Sequence, residues 1–216
     1  MLKEYLLKIK DPISFLTHFL GFLLSVIGLV LLLIAGTGVW ELASFAIFGT
    51  TMMMMYFASS IYHFFTLSNE KTRLLRKFDH IAIYLFIAGS FTPFTLLLMD
   101  GTFKWVMISV VWGIALGGII LKLVWLQAPR WLSVVFYLGM GWLGLVIIPN
   151  TFVQIQAAAW WVVAGGLSYT VGAVIYGMQK PNIIPGWFGF HELWHIFVMG
   201  GSFCHFWAVY NFLPSA

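Results

Sequence analysis

Seven blocks of continuous apolar sequence follow one another along the chain, at about 14–35, 42–66, 78–99, 103–126, 131–149, 158–178 and 191–213. Each is long enough to cross ~30 Å of hydrocarbon as a helix. The blocks are unbroken rather than alternating, so they predict helices and not the strands of a transmembrane barrel. The breaks between them carry turn chemistry: Gly36 to Gly38, Ser68-Asn69-Glu70, Asp100-Gly101, Ala128-Pro129-Arg130, Pro149-Asn150, and Pro181 to Gly186. The pattern therefore predicts an all-α integral membrane protein, one seven-helix transmembrane bundle over residues 1–216. Pro93 is expected to kink the third helix. Gly113-x-x-x-Gly117 with Gly118, and Gly139, Gly141 and Gly144, are expected at close helix contacts.

The basic residues orient the bundle. Lys3, Lys8 and Lys10 precede the first helix, and Lys71, Arg73, Arg76 and Lys77 separate the second from the third. Lys122 and Arg130 flank the next even-numbered connection and Lys180 lies in the last, while the opposite side has Lys104 alone. This split puts the N-terminus in the cytoplasm and the C-terminus outside, which requires an odd number of spans. Composition agrees: of 216 residues 62% are hydrophobic and 8% charged, against the ~25% charge of a soluble domain. The net charge of +4 comes from these short clusters and gives no reason to expect nucleic acid as a partner. Cys204 is the single cysteine, so no disulfide forms within the chain. The mixed-charge start, Met1 to Pro12, has no small-residue cleavage site, and no cleaved signal peptide is expected.

Ionisable groups inside a span are costly and mark function by default. Four converge at the cytoplasmic ends of the predicted helices: His63 near the end of the second, Asp79 at the start of the third, and His191 and His195 opening the seventh. His191 and His195 are four residues apart and share a helix face, a spacing that suits two imidazoles on one metal. With His63 they form a three-histidine set with an open fourth position, which is the pattern of a catalytic zinc site. A metal held there would lower the pKa of water to ~7. Asp79 could orient that water or take its proton, and Ser59, one turn before His63, could hydrogen-bond it or a substrate oxygen. His191-Glu192-Leu193-Trp194-His195 also fits H-E-x-x-H, which leaves Glu192 open as a base. His18 lies at the correct end of the first helix as an additional candidate. His205 sits ~21 Å of helical rise beyond His191, too far to join.

These residues fall into three ordered motifs. Ser59-x-x-x-His63, then Phe78-Asp79 leading to Gly89-Ser90-Phe91-x-Pro93, then His191-x-x-x-His195 leading to Phe203-x-His205-Phe206 resemble those of the progestin and adipoQ receptor family. Its bacterial branch is called hemolysin III. The resemblance covers nearly the whole chain. It implies zinc on His63, His191 and His195, with Asp79 holding the attacking water, Ser59 nearby, and Glu192, His18 and His205 set aside as ligands. It also implies kinship with intramembrane metal-dependent hydrolases that include alkaline ceramidases, and a place in a bacterial cell membrane.

The function expected is zinc-dependent hydrolysis of a lipid amide or ester at the cytoplasmic leaflet, with membrane lipid as the partner. The alternatives are a non-enzymatic membrane sensor or regulator with structural zinc, and a cytolysin as the branch name suggests. Outer connections of about 36–41, 100–102 and 150–157 are too short to build a platform for a large protein ligand. The long N-terminal extension of the family's receptors is not seen here, so receptor signalling is not carried over.

Overall fold

A computed structural model describes residues 9–213. Among them the secondary structure is helical, with one isolated bridge between Ile184 and Phe188. Eight helices run in order: α1 (Pro12–Ala35), α2 (Val39–Phe64), α3 (Asn69–Leu98), α4 (Gly101–Val124), α5 (Arg130–Trp142), α6 (Gly144–Gln154), α7 (Gln156–Met178) and α8 (Phe190–Phe212). Lys3 and Lys8, counted in the expected cytoplasmic charge, lie outside the described residues.

Six helical stretches are long and apolar enough to cross a membrane, with α5 and the start of α6 counting as one, Arg130–Pro149. The 23-residue α8 is not among the six. Its apolar run is interrupted by His191, Glu192, His195, Ser202 and His205. The predicted fifth block is divided: the chain caps at Leu143 and restarts at Gly144. The predicted break at Pro149-Asn150 is absent, because α6 continues through Pro149 to Gln154. Leu143 and Gly144 follow the glycine-rich stretch Gly139-Met140-Gly141, where helix propensity is weak. The third helix starts nine residues before its apolar block, at Asn69, since Glu70 to Lys77 are good helix formers that extend it beyond the apolar core. It runs unbroken through Pro93.

The helix faces are inverted relative to a soluble bundle. On α1, Ser14, His18, Gly21, Ser25, Gly28 and Leu32 are buried, a three-four spacing that marks one face. Leu16, Leu20, Leu23, Leu24, Ile27 and Ile34 point outward. Small and polar residues meet other helices while large aliphatic ones face away, as expected where lipid is the solvent. Exposed tryptophans cluster at both ends, Trp40 and Trp105 at one and Trp125, Trp131 and Trp187 at the other, as in the aromatic belts of membrane proteins.

Packing closes a ring. α1 lies against α2 and α8, α2 against α3, α3 against α5 and α6, these against α7, and α7 against α8. α3 is the most buried of the six candidate spans and α4 packs on its outer side. Of the glycines expected at contacts, only Gly118 is pressed: a Cβ there would lie 2.2 Å from the Tyr84 ring, while Gly113, Gly117, Gly139 and Gly141 have nothing within 4 Å. The Gly113-x-x-x-Gly117 face is therefore open in the single chain. Because Tyr84 is fully buried and cannot step aside, Gly118→Ala is expected to destabilise by about 1–3 kcal/mol. Gly117→Ala should leave the thermal midpoint of detergent-purified protein unchanged.

Candidate metal centre

Three helix ends build the site. α2 ends at Phe64, which puts His63 in its last turn. α8 is started by Gly189, whose N–H donates to Glu192 Oε2 at 2.8 Å. That cap fixes His191 in the first turn and His195 one turn later on the same face. The ligand atoms of His63, His191 and His195 all lie within 4.8 Å of one another. His63 Nε2 and His191 Nε2 are 3.3 Å apart. Two nitrogens on a tetrahedral zinc at ~2.0–2.1 Å would be separated by about 3.3–3.4 Å, so the pair already has ligand spacing.

The outer nitrogens decide which atoms face inward. His63 Nδ1 lies 2.8 Å from Asp11 Oδ2, and only a protonated Nδ1 can donate to a carboxylate. His195 Nδ1 lies 3.2 Å from the Ser14 carbonyl and 3.4 Å from Thr17 Oγ1, so it too carries its proton outward. With Nδ1 as the donor, each ring can turn its Nε2 toward the cluster, the arrangement that carboxylate and carbonyl partners impose on metal-binding histidines. Three histidines arranged this way could hold a metal ion.

The sequence did not point to Asp11, Ser14 or Thr17. Asp11 precedes Pro12 at the start of α1 and reads as a helix-start residue. Its second role is visible only once α1 lies beside α2. The Asp11 N–H donates to the His63 carbonyl at 3.0 Å, and Lys10 lies over the Tyr62 ring at 3.4 Å. The Asp11 carboxyl is held below its usual range: burial raises it, but the hydrogen bond from His63 and then Lys10 at 3.4 Å more than offset that. The carboxylate is thus present at neutral pH, and its contribution is lost as pH falls through its lowered pKa.

Asp79 and Ser59 line the cavity together with His191 and His195, and Asp79 lies in the neighbourhood of Ser59 and His63. Asp79 is not part of the ligand cluster. The Ser59 hydroxyl is also 2.7 Å from His18 Nδ1. His18 stacks on His195, with ring centroids 3.5 Å apart and planes 10° apart. It belongs to the wall of the site rather than to the ligand set. Glu192 uses both oxygens structurally, one on the Gly189 N–H and the other accepting from Ser14 Oγ at 2.8 Å. It caps α8 and ties it to α1. His205 lies between Phe94 and Tyr169 at the far end of the cavity.

That cavity measures about 230 Å³ and is mostly apolar, running from Asp79 and His195 past Phe86, Ile87 and Phe91 to Phe94 and Ile147. Asp79 to Phe94 is ~22 Å of helical rise.

Residues 7–206 match the family model described as haemolysin-III related. The chain belongs to this family. As a haemolysin-III-related protein it is 37% identical to a hemolysin-3 homolog of Bacillus subtilis (strain 168), over 93% of each chain. It is 34% identical to a hemolysin-3 of Bacillus cereus, over 96% of this chain and 94% of that one. It is also 27% identical to the human monocyte to macrophage differentiation factor, over 91% of this chain and 82% of the relative. The resemblance read from the three motifs thus holds, and with six apolar helices the family member is a multi-pass membrane protein.

Proposed function

We propose that this chain spans the membrane seven times, with its histidine end in the cytoplasm, and hydrolyses a lipid amide or ester at one zinc ion held by His63, His191 and His195. The observation that carries the reading is the three-histidine cluster, with His63 Nδ1 set against Asp11 and His195 Nδ1 against the Ser14 carbonyl. All-imidazole ligation with a free fourth position favours zinc of the catalytic type over a hard cation such as magnesium or calcium. Bound there, the metal supplies Lewis acidity, which polarises a carbonyl oxygen and acidifies water.

The chain's own residues do the rest. Asp79 takes the proton from the attacking water, with Ser59 beside it on the adjacent helix. The apolar cavity leads away from the histidines along ~22 Å of α3, more than the ~15 Å of one leaflet of hydrocarbon, which is length enough for the acyl chain of a lipid. A carbonyl at the head of such a chain would then sit at the cluster, a positioning effect. The ten-to-one distribution of Lys and Arg supports the cytoplasmic side, and an odd number of passes counts α8 as the seventh.

The first test is outside the ligand set. Asp11→Asn keeps size and removes the charged acceptor from His63. Zinc affinity, measured by competition with a chelator on purified protein, is expected to fall 10–100-fold. Unchanged affinity would remove Asp11 from the site.

A further inference from the structure

Beside the metal centre, where α3, α4 and α5 approach one another, basic groups gather without matching carboxylates. Lys122, in the last turn of α4, is 1% exposed. An ammonium carries three donors, yet the acceptor found for it is Ser133 Oγ at 2.6 Å. Arg130 stands one turn before Ser133 on the same face of α5, its guanidinium 5.0 Å from the Tyr176 ring centre and 5.5 Å from that of Phe190. Its Nη1 is buried and has no partner. From α3, the exposed Arg76 stands in the same neighbourhood, beside Lys122 and Tyr176. His80, one turn on from Arg76, has a buried Nδ1 without a partner. Among the described residues no carboxylate stands within ion-pair distance of Arg76, Lys122 or Arg130. Asp79 is the acidic group in this neighbourhood, and it lies near Ser59 and His63 as well.

A buried cation with unfilled donors costs several kcal/mol unless something anionic completes it. Here two cations from two helices, Lys122 of α4 and Arg130 of α5, meet beside Ser133, and the donors left over are of the kind that grip phosphate oxygens. Ser133, His80 and Tyr176, set among them, line the cavity. Basic pockets between membrane helices are suited to lipid head groups.

We propose that Lys122 and Arg130, with His80 and with Arg76 at the exposed rim, form a binding site for a phosphate-type anion, either the head group of an anionic phospholipid or free phosphate. The site lies at the lysine- and arginine-rich end of the bundle and is independent of whether zinc is bound. It anchors a phosphorylated ligand beside the cavity mouth.

The test uses the full chain in detergent, followed by its thermal midpoint. Phosphatidic acid in mixed micelles is expected to raise the midpoint by roughly 5 °C, as a ligand specific to the folded state does, while diacylglycerol does not. Stabilisation by inorganic phosphate as well identifies the free anion as sufficient; stabilisation by phosphatidic acid alone identifies the head group. Lys122→Met and Arg130→Gln should each weaken the response at least tenfold in probe concentration. Arg73→Gln, an exposed charge of the same basic segment, should retain it. Without any probe, Lys122→Met should melt at or above the wild-type midpoint, because the uncompensated ammonium is gone. An equal response to diacylglycerol, no response to either phosphate probe, an undiminished response in Lys122→Met, or a lower probe-free midpoint for that variant overturns the site.

Discussion

Protein purified without chelator should retain about one zinc ion per chain, and the His63→Ala and His195→Ala proteins less than a tenth of that amount. The expectation follows from how the ligands are held. Disturbing only an outer partner of a metal-bound histidine costs 10–100-fold in affinity, and deleting the imidazole itself removes both a ligand and the orientation of its neighbours. His63 is tied to Asp11 at 2.8 Å and His195 to the Ser14 carbonyl at 3.2 Å, so neither ring is free to be replaced by a swing of the other. His205→Ala is the matched control. It removes another interior imidazole of the same helix, ~21 Å along α8, and should keep its zinc. Metal content by mass spectrometry, on fractions that elute as wild type, reads the result. Undiminished zinc in His63→Ala would sink the assignment.

What the sequence made legible, and what it hid, divides along physical lines. The ends of α1, α2, α4, α7 and α8 fall within three residues of the apolar blocks, because the hydrocarbon thickness sets their length. The start of α3 was hidden, since hydropathy cannot register a helix that continues past the apolar core on Glu70 to Lys77. The division at Leu143 was hidden too, as apolarity is uninterrupted across it while the backbone is not. α8 is the instructive case. The polar side chains His191, Glu192, His195 and His205 lower its hydropathy, so it is not among the six most apolar helices, although both the apolar block at 191–213 and the histidine motif mark it in the sequence. The three histidines were readable from their spacing and depth. Asp11 was not, since its partner lies 52 residues away and only the packing of α1 on α2 joins them.

Asp79→Asn is expected to keep its zinc and lose hydrolysis by 10²–10⁴-fold, the usual worth of a positioned general base, or about 3–5 kcal/mol of barrier. The carboxyl is outside the three-histidine cluster, which is why metal content should survive the change. Asparagine has nearly the same shape and can still meet Ser59, but it cannot accept a proton from water at neutral pH. The measurement is a lipidomic comparison of cells carrying wild-type, Asp79→Asn and His195→Ala protein, with zinc determined on each purified chain. A hydrolase predicts that the two variants accumulate the same lipid amide or ester, one with metal and one without. A regulator with structural zinc predicts the opposite division, in which Asp79→Asn behaves as wild type and only His195→Ala departs from it. If Asp79→Asn loses its zinc along with activity, the carboxyl is a ligand and the proton-transfer role falls.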